Sequence, residues 1–301
     1  MNIPNQHIDV PLFREKGVTL HIKREDTIHP QISGNKYRKL KYNLLEAQKL
    51  GHHTLLTFGG AFSNHIAAVA CAGHEQGFKT IGVIRGEELQ DKWQDNPTLS
   101  LAHDHGMQFH FVSRSDYRQK SEAGFLRILK EEFGDFYLLP EGGTNALAVK
   151  GCEEIVTEAD SNFDYICSSV GTGGTLAGLI NSAKPHQTVL GFPALKGDFL
   201  KQDIHTFVRN DQWKLMTDFH FGGYAKVSEE LIHFINTFKE ETGVPLDPIY
   251  TGKLLFGIFE LAKQDFFPKG TQILAIHTGG LQGIAGMNTV LKKKNLPLLD
   301  I

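Results

Sequence analysis

The sequence predicts an α/β protein built on mainly parallel sheets with helices on both faces. Three observations lead there. Short apolar runs alternate with helix-length stretches along the whole chain. The runs are continuous rather than alternating in polarity, the pattern of strands buried on both faces. Several of them end in glycine-rich turns.

In chain order, the strand-like runs cover residues 54–58, 80–84, 108–112, 136–139, 165–169, 189–192 and 273–276. Helix-like stretches lie between most of them. One follows Lys36, where Tyr37, Leu40, Leu44 and Ala47 recur at spacings of 3, 4 and 3 and define one buried face. Another covers 66–73. The stretch 196–217 is polar and aromatic without periodicity and reads as a surface excursion. No repeat, low-complexity tract or linker marks a domain boundary.

A chain of 301 residues can bury a large core, and roughly two domains is the prior. The net charge of -3 provides no global field for nucleic acid. Lys36, Arg38, Lys39 and Lys41 form a local basic cluster, in which Arg38 and Lys41 read as a solvated helix face. No apolar run approaches the ~18 residues of a membrane span, and residues 1–10 do not resemble a signal peptide. Cys71, Cys152 and Cys167 lack paired spacing and read as core thiols of a cytoplasmic protein. The histidines show no metal-ligand spacing, so no metal is expected.

The chemistry-bearing segments are few. Lys36 sits in Ser33-Gly34-Asn35-Lys36 at a helix start. Far down the chain, Gly171-Thr172-Gly173-Gly174-Thr175 turns from a strand-like run into a helix-like one. Such a turn holds a phosphate on backbone N–H groups at a helix N-terminus. It is not a dinucleotide fingerprint, because Leu176 stands where the third glycine belongs, and it is not a Walker A loop. A lysine amine plus a remote phosphate cradle is the requirement for pyridoxal phosphate, whose aldehyde forms a Schiff base with an amine.

Ser63-Asn64-His65 opens a helix after Gly59-Gly60. It suits a substrate carboxylate, although a plain helix cap explains Ser63 or Asn64 equally well. There is no GxSxG elbow for a serine hydrolase. Tyr250-Thr251-Gly252-Lys253 and His277-Thr278-Gly279-Gly280 come late in the chain. A tyrosine there can stack on a ring or act in acid–base work. The turns Gly59-Gly60, Gly142-Gly143, Gly171 to Gly174 and Gly279-Gly280 all follow strand-like runs, where α/β sheets bind ligands, so they are expected to converge on one site.

Taken together, these segments resemble the fold-type II pyridoxal-phosphate enzymes, and among them the aminocyclopropane carboxylate (ACC) deaminase and D-cysteine desulfhydrase family. The resemblance covers nearly the whole chain. It begins at Ile22-Lys23-Arg24-Glu25-Asp26, and Gly34-Asn35-Lys36-Tyr37-Arg38-Lys39-Leu40 matches the family's Gly-Asn-Lys-x-Arg-Lys-Leu. It implies Lys36 as the Schiff-base lysine, with Asn35 and Lys39 as cofactor contacts. It implies Ser63, Asn64 and His65 for the substrate carboxylate and Gly171, Thr172, Gly173, Gly174 and Thr175 for the phosphate. Tyr250 and Tyr224 would line the substrate face, and Thr251 or Thr278 would meet the pyridine nitrogen. It also implies two α/β domains, the smaller over 40–145 and the larger over 1–39 and 146–301, and a homodimer.

ACC deaminases carry Tyr-Glu-Gly-Lys and His-Leu-Gly-Gly where this chain has Thr251 and Thr278. D-cysteine desulfhydrases resemble the chain at both positions. A glutamate at the pyridine nitrogen keeps the ring protonated, a strong electron sink that ring opening exploits. A neutral hydroxyl favours elimination of a good leaving group. The expected activity is therefore desulfhydration of D-cysteine, with ACC deamination as the alternative and a pyridoxal-phosphate binder without turnover as a second class. Ala61-Phe62 departs from the family's usual residues and places a large aromatic near the pocket.

Overall fold

The computed structural model describes residues 3–197 and 199–300. Its strands are β1 (Asn5–Ile8), β2 (Thr19–Lys23), β3 (Thr54–Gly59), β4 (Lys79–Arg85), β5 (Met107–Val112), β6 (Tyr137–Leu139), β7 (Tyr165–Val170), β8 (Thr188–Pro193), β9 (Trp213–Leu215) and β10 (Gln272–Ile276). They form a six-stranded sheet in the order β1-β2-β10-β7-β8-β9 and a four-stranded sheet in the order β5-β4-β3-β6. All pairings are parallel except β1 with β2. The smaller sheet draws only on strands between 54 and 139; the larger takes the flanking segments.

The α-helices, in chain order, begin with α1 (Pro11–Lys16), α2 (Asn35–Lys49), α3 (Asn64–Gln76), α4 (Pro97–Asp104), α5 (Arg114–Tyr117) and α6 (Ala123–Phe133). They continue with α7 (Ala146–Cys152), α8 (Gly174–Ser182), α9 (Phe199–His205), α10 (Glu229–Thr242), α11 (Thr251–Lys263) and α12 (Gly283–Lys293). Four apolar clusters lie between these helices and the two sheets, one on each face of each sheet. This is the α/β architecture expected, with helices on both faces.

Helix α2 positions the chemistry. Leu40 and Ala47 are buried in the core of the smaller sheet, while its other side packs on α7. Gly151 of α7 makes that crossing possible: a Cβ there would stand 2.0 Å from the Arg38 carbonyl oxygen. At the start of α2, Gly34 adopts φ 63°, and a Cβ on it would stand 2.0 Å from the carbonyl oxygen of Thr278. Only glycine tolerates both constraints. Asn35 N–H donates to that same Thr278 oxygen at 3.3 Å. The Lys36 segment and the Thr278 turn are thereby locked side by side.

Two expectations are corrected. Arg38 is not on a solvated face. Its side chain is buried against Glu25, which is fully buried, with Nε and Nη2 donating to the two carboxylate oxygens at 2.9 Å each. Lys41, one residue past a helical turn from Lys36, is partly exposed and pairs with Glu154. The stretch 196–217 is more than a surface excursion. It contains α9 and the edge strand β9, and Leu200, Ile204 and Trp213 are buried in the core beneath them. The aperiodic pattern arises because two short elements of different period share about twenty residues.

All three cysteines are buried free thiols. Among the described residues no helix is long and apolar enough to cross a membrane.

The Arg38–Glu25 pair yields a stability prediction. Glu25→Gln removes the close counter-charge of a buried guanidinium and leaves only the Glu154 carboxylate at 3.7 Å, which costs up to about 3–5 kcal/mol. The urea midpoint should fall markedly at unchanged m-value. A midpoint equal to that of the parent would show that the pair does not hold α2 in place.

Candidate active site

The carboxyl ends of β3, β4, β6, β7 and β10 surround a cavity of about 570 Å³ between the two sheets. The glycine turns after these strands meet there: Gly60, Gly142, Gly171, Gly173 and Gly279 all line it. So do Asn35, Lys36, Lys39, Ser63, Asn64, His65, Thr172, Thr175, Tyr224, Tyr250 and Thr278. Of the residues singled out in the sequence, Gly174 and Thr251 are not in its wall.

Lys36 Nζ donates to the Gly142 carbonyl at 3.3 Å, and Lys39 Nζ donates to the same oxygen at 3.0 Å. Lys39 also reaches the hydroxyls of Thr144 (3.0 Å) and Thr172 (3.4 Å), which bond each other. No carboxylate pairs with either ammonium among the described residues. Burial, and then the neighbouring Lys39 cation, hold the Lys36 amine well below the usual lysine range. Burial pushes Lys39 down to about 8.

The 171–175 turn starts α8, whose first N–H groups have no intrahelical partners. Asn35 Nδ2 donates to Thr175 Oγ1 at 2.7 Å, tying the lysine segment to this turn. The Tyr250 ring covers the turn's first residue: a Cβ on Gly171 would stand 3.2 Å from Tyr250 Cε1.

Ser63 both caps α3 and lines the cavity, its Oγ accepting from Ile66 N–H at 3.3 Å. His65 is buried. The Thr57 hydroxyl donates to the Leu139 carbonyl, so its oxygen accepts from His65 Nε2 at 2.9 Å. Nδ1 is then a bare acceptor, buried with no partner. Burial and the two lysine cations hold the imidazole pKa well down, so the ring is neutral.

The two threonines differ. Thr251 is fully buried, and its Oγ1 donates to Asp247 Oδ1 at 2.8 Å in a cap at the start of α11. Thr278 lines the cavity, its Oγ1 3.1 Å from the Ser169 hydroxyl. Tyr224 and Tyr250 meet edge to face at 6.3 Å between centroids. Burial first, then the neighbouring tyrosine, hold the Tyr250 phenol far above its usual range, so it remains a hydrogen-bond donor. Lys253 is buried and donates to the carbonyls of His220 (2.9 Å) and Gly223 (2.8 Å), which anchors the loop that presents Tyr224.

The profile of the pyridoxal-phosphate dependent enzymes matches residues 4–279. This chain belongs to that family. It is 30% identical to a protein of Pyrococcus horikoshii called a putative 1-aminocyclopropane-1-carboxylate deaminase, over 90% of this chain and 87% of the relative. It is also 30% identical to the mitochondrial bifunctional D-cysteine desulfhydrase/1-aminocyclopropane-1-carboxylate deaminase of Arabidopsis thaliana, over 92% and 78% of the two chains. A crystal structure described as an ACC deaminase homologue superposes with a TM-score of 0.84 at 29% identity, over 97% and 94% of the two chains.

The protein is accordingly an enzyme of fold-type II whose cofactor is pyridoxal 5'-phosphate. The cavity fits that group. Lys39, two threonine hydroxyls and a helix start converge without an acid, which is a donor set for a phosphate. A lowered amine at Lys36 suits an aldehyde.

Thr144, Glu141 and Arg85 also belong to the wall or its support and were given no site role from the sequence, although the segment Pro140-Glu141-Gly142-Gly143-Thr144-Asn145 resembles the D-cysteine desulfhydrases. Thr144 had a signal, since it follows the Gly142-Gly143 turn. Arg85 had none, because a lone arginine at a strand end looks like any surface charge.

Two predictions follow from the lysines. Lys39→Ala should weaken pyridoxal phosphate binding by about 10- to 100-fold, the worth of a lost charge-assisted bond, as measured by equilibrium dialysis. Unchanged affinity would remove Lys39 from the phosphate site. An amine attacks an aldehyde only in its neutral form, and the neutral fraction of Lys36 grows as pH rises through its lowered pKa. The rate of cofactor uptake by cofactor-free protein should therefore rise with pH and level off well below 10.5, the ordinary lysine value. A rate still climbing at that pH would count against the lowered amine.

Proposed function

We propose that the enzyme eliminates a β-substituent from a small amino acid, with D-cysteine the preferred substrate and pyruvate, sulfide and ammonia the products. The observation that carries this reading is the meeting of Lys36, the 171–175 turn and the Ser63–His65 segment in one cavity, with the neutral Thr278 hydroxyl as the residue available to the pyridine nitrogen.

When bound, pyridoxal phosphate supplies an electron sink for charge developing on the substrate α-carbon. The protein's own residues do the rest. Lys39, Thr172, Thr175 and the N–H groups of the 171–175 turn hold the phosphate. Asn35 positions Thr175 and contacts the cofactor. Ser63, Asn64 and the start of α3 receive the substrate carboxylate. His65, neutral, offers Nδ1 as an acceptor to a ligand donor. Lys36 takes the proton from the α-carbon, burial and the neighbouring Lys39 making its amine easier to deprotonate than an ordinary lysine. Tyr250 and Tyr224 bound the face where the leaving group departs. Hydrolysis of the released enamine gives the 2-oxo acid and ammonia.

Thr278 rather than Thr251 takes the nitrogen role, because the Thr251 hydroxyl is committed to Asp247. This rests the branch argument on one position. A hydroxyl does not keep the pyridine nitrogen protonated as a carboxylate does, which favours loss of a thiolate over ring opening. ACC deamination is the second reading, supported by the names of the relatives. The reading includes a homodimer acting in the cytoplasm; sedimentation of the loaded enzyme checks the first part.

The test is to incubate the loaded enzyme separately with D-cysteine, L-cysteine and ACC, assaying pyruvate, sulfide and 2-oxobutyrate. Pyruvate and sulfide from D-cysteine support the proposal, and 2-oxobutyrate from ACC alone supports the second reading. Lys36→Ala should lose the violet absorbance of the bound cofactor together with turnover. Thr278→Val should shift that absorbance, whereas Thr251→Val should lower stability by about 1 kcal/mol through the lost hydrogen bonds with Asp247 and leave the absorbance in place. The reverse pattern would return the nitrogen role to Thr251.

A further inference from the structure

One cation of the cavity has no part in the reaction described above. Arg85 is the last residue of β4, and its side chain lines the cavity. Its Nη2 lies 3.4 Å from where a Cβ on Gly60 would stand, so the guanidinium faces the turn that leads into Ser63. Its Cζ is 5.6 Å from the centroid of the Tyr117 ring.

The nearby carboxylate does not neutralise it. Glu141 Oε1 accepts from the Tyr117 hydroxyl at 2.8 Å, and Oε2 pairs with Lys120 at 3.3 Å. Among the described residues Arg85 has neither an ion-pair partner nor a hydrogen-bond acceptor. Arg85 is exposed to solvent at the cavity wall, and a guanidinium near an aromatic ring with its N–H fork free of protein acceptors is available to a planar or tetrahedral oxyanion.

The location restricts which oxyanion. The phosphate donors, Lys39 and the 171–175 turn, belong to the α2–α8 side of the cavity. The α-carboxylate donors are at the start of α3, directly after β3. Strands β3 and β4 are parallel neighbours in register, Gly59 beside Ile84, so Gly60 is level with Arg85. Neighbouring strands lie about 4.8 Å apart, so the Arg85 backbone stands beside Gly60, close to the start of α3.

We propose that Arg85 forms a subsite for a second anionic group on the substrate side chain. The substrate class then extends to amino acids bearing a carboxylate or a sulfonate at the β-carbon. This rests on the cavity being an amino-acid site. The guanidinium recognises the side chain; it is a specificity residue and takes no proton.

The test is calorimetric titration of the pyridoxal-phosphate-loaded enzyme with both enantiomers of aspartate, cysteate and alanine, which reads binding without requiring turnover. One enantiomer of aspartate or cysteate should bind at least about tenfold more tightly than the matching alanine, the worth of one charge-assisted contact. Aspartate and cysteate separate the carboxylate from the sulfonate as the preferred group. In Arg85→Gln that ratio should fall to about one, and Arg85→Lys should restore part of it. Retention of the cofactor absorbance shows that each variant is folded.

Alanine binding without any preference for the acidic analogues would overturn the subsite alone. A ratio that survives Arg85→Gln would do the same, placing the guanidinium on the α-carboxylate or outside the site. Failure of alanine and of every acidic analogue to bind would overturn the amino-acid reading and the subsite together.

Discussion

Two lysine amines, Lys36 and Lys39, donate to a single carbonyl oxygen, that of Gly142, and among the described residues neither is paired with a carboxylate. Buried like charges are costly unless an anion joins them or one of them gives up its proton. Under the proposed function both demands are met: a cofactor phosphate held by Lys39, Thr144 and Thr172 would be the anion, and Lys36, whose amine is held well below the usual lysine range, would be the nucleophile. Everything else in the fold serves to keep these two lysines one helical turn apart and aimed at the same cavity.

That service is visible in the packing of α2. The fork between Arg38 and Glu25 anchors the helix on the side away from the cavity. Gly151 lets α7 approach it, and Gly34 lets its start lie against the Thr278 carbonyl. The Lys36 segment, the Thr278 turn and the 171–175 turn come from three distant parts of the chain. Their mutual placement follows from these close contacts, which only glycine and a neutralised ion pair permit. Lys253 does for Tyr224 what Arg38 does for Lys36, holding a loop of positive-φ residues by two carbonyl bonds.

Much of this was legible in the sequence where the signal is local. The seven strand-like runs are all strands, because burial on both faces leaves continuous apolar runs. The convergence of the glycine turns was readable because strand ends collect ligands in parallel sheets. The remaining strands were harder. Strand β1 is polar and antiparallel at an edge, β2 interrupts its apolar residues with His21 and Lys23, and β9 has three residues in an aperiodic stretch, so none of the three shows a continuous apolar run. Arg38 read as a solvated charge, since nothing near it in sequence reveals that Glu25 is folded beneath it.

The sequence by itself determined the α/β class, the lysine and phosphate motifs and the family, because each is written in contiguous residues whose types are dictated by backbone geometry or by the group they bind. The tertiary structure decided what depends on distance between segments. It turned Thr251 onto Asp247 and Thr278 into the cavity, although both follow equally plausible motifs. It buried Arg38 in an ion pair and left Arg85 facing the cavity without one among the described residues, although both read from sequence as solvated charges. The physical reason is the same in each case: a polar side chain takes its role from the partner it finds, and that partner lies elsewhere in the chain.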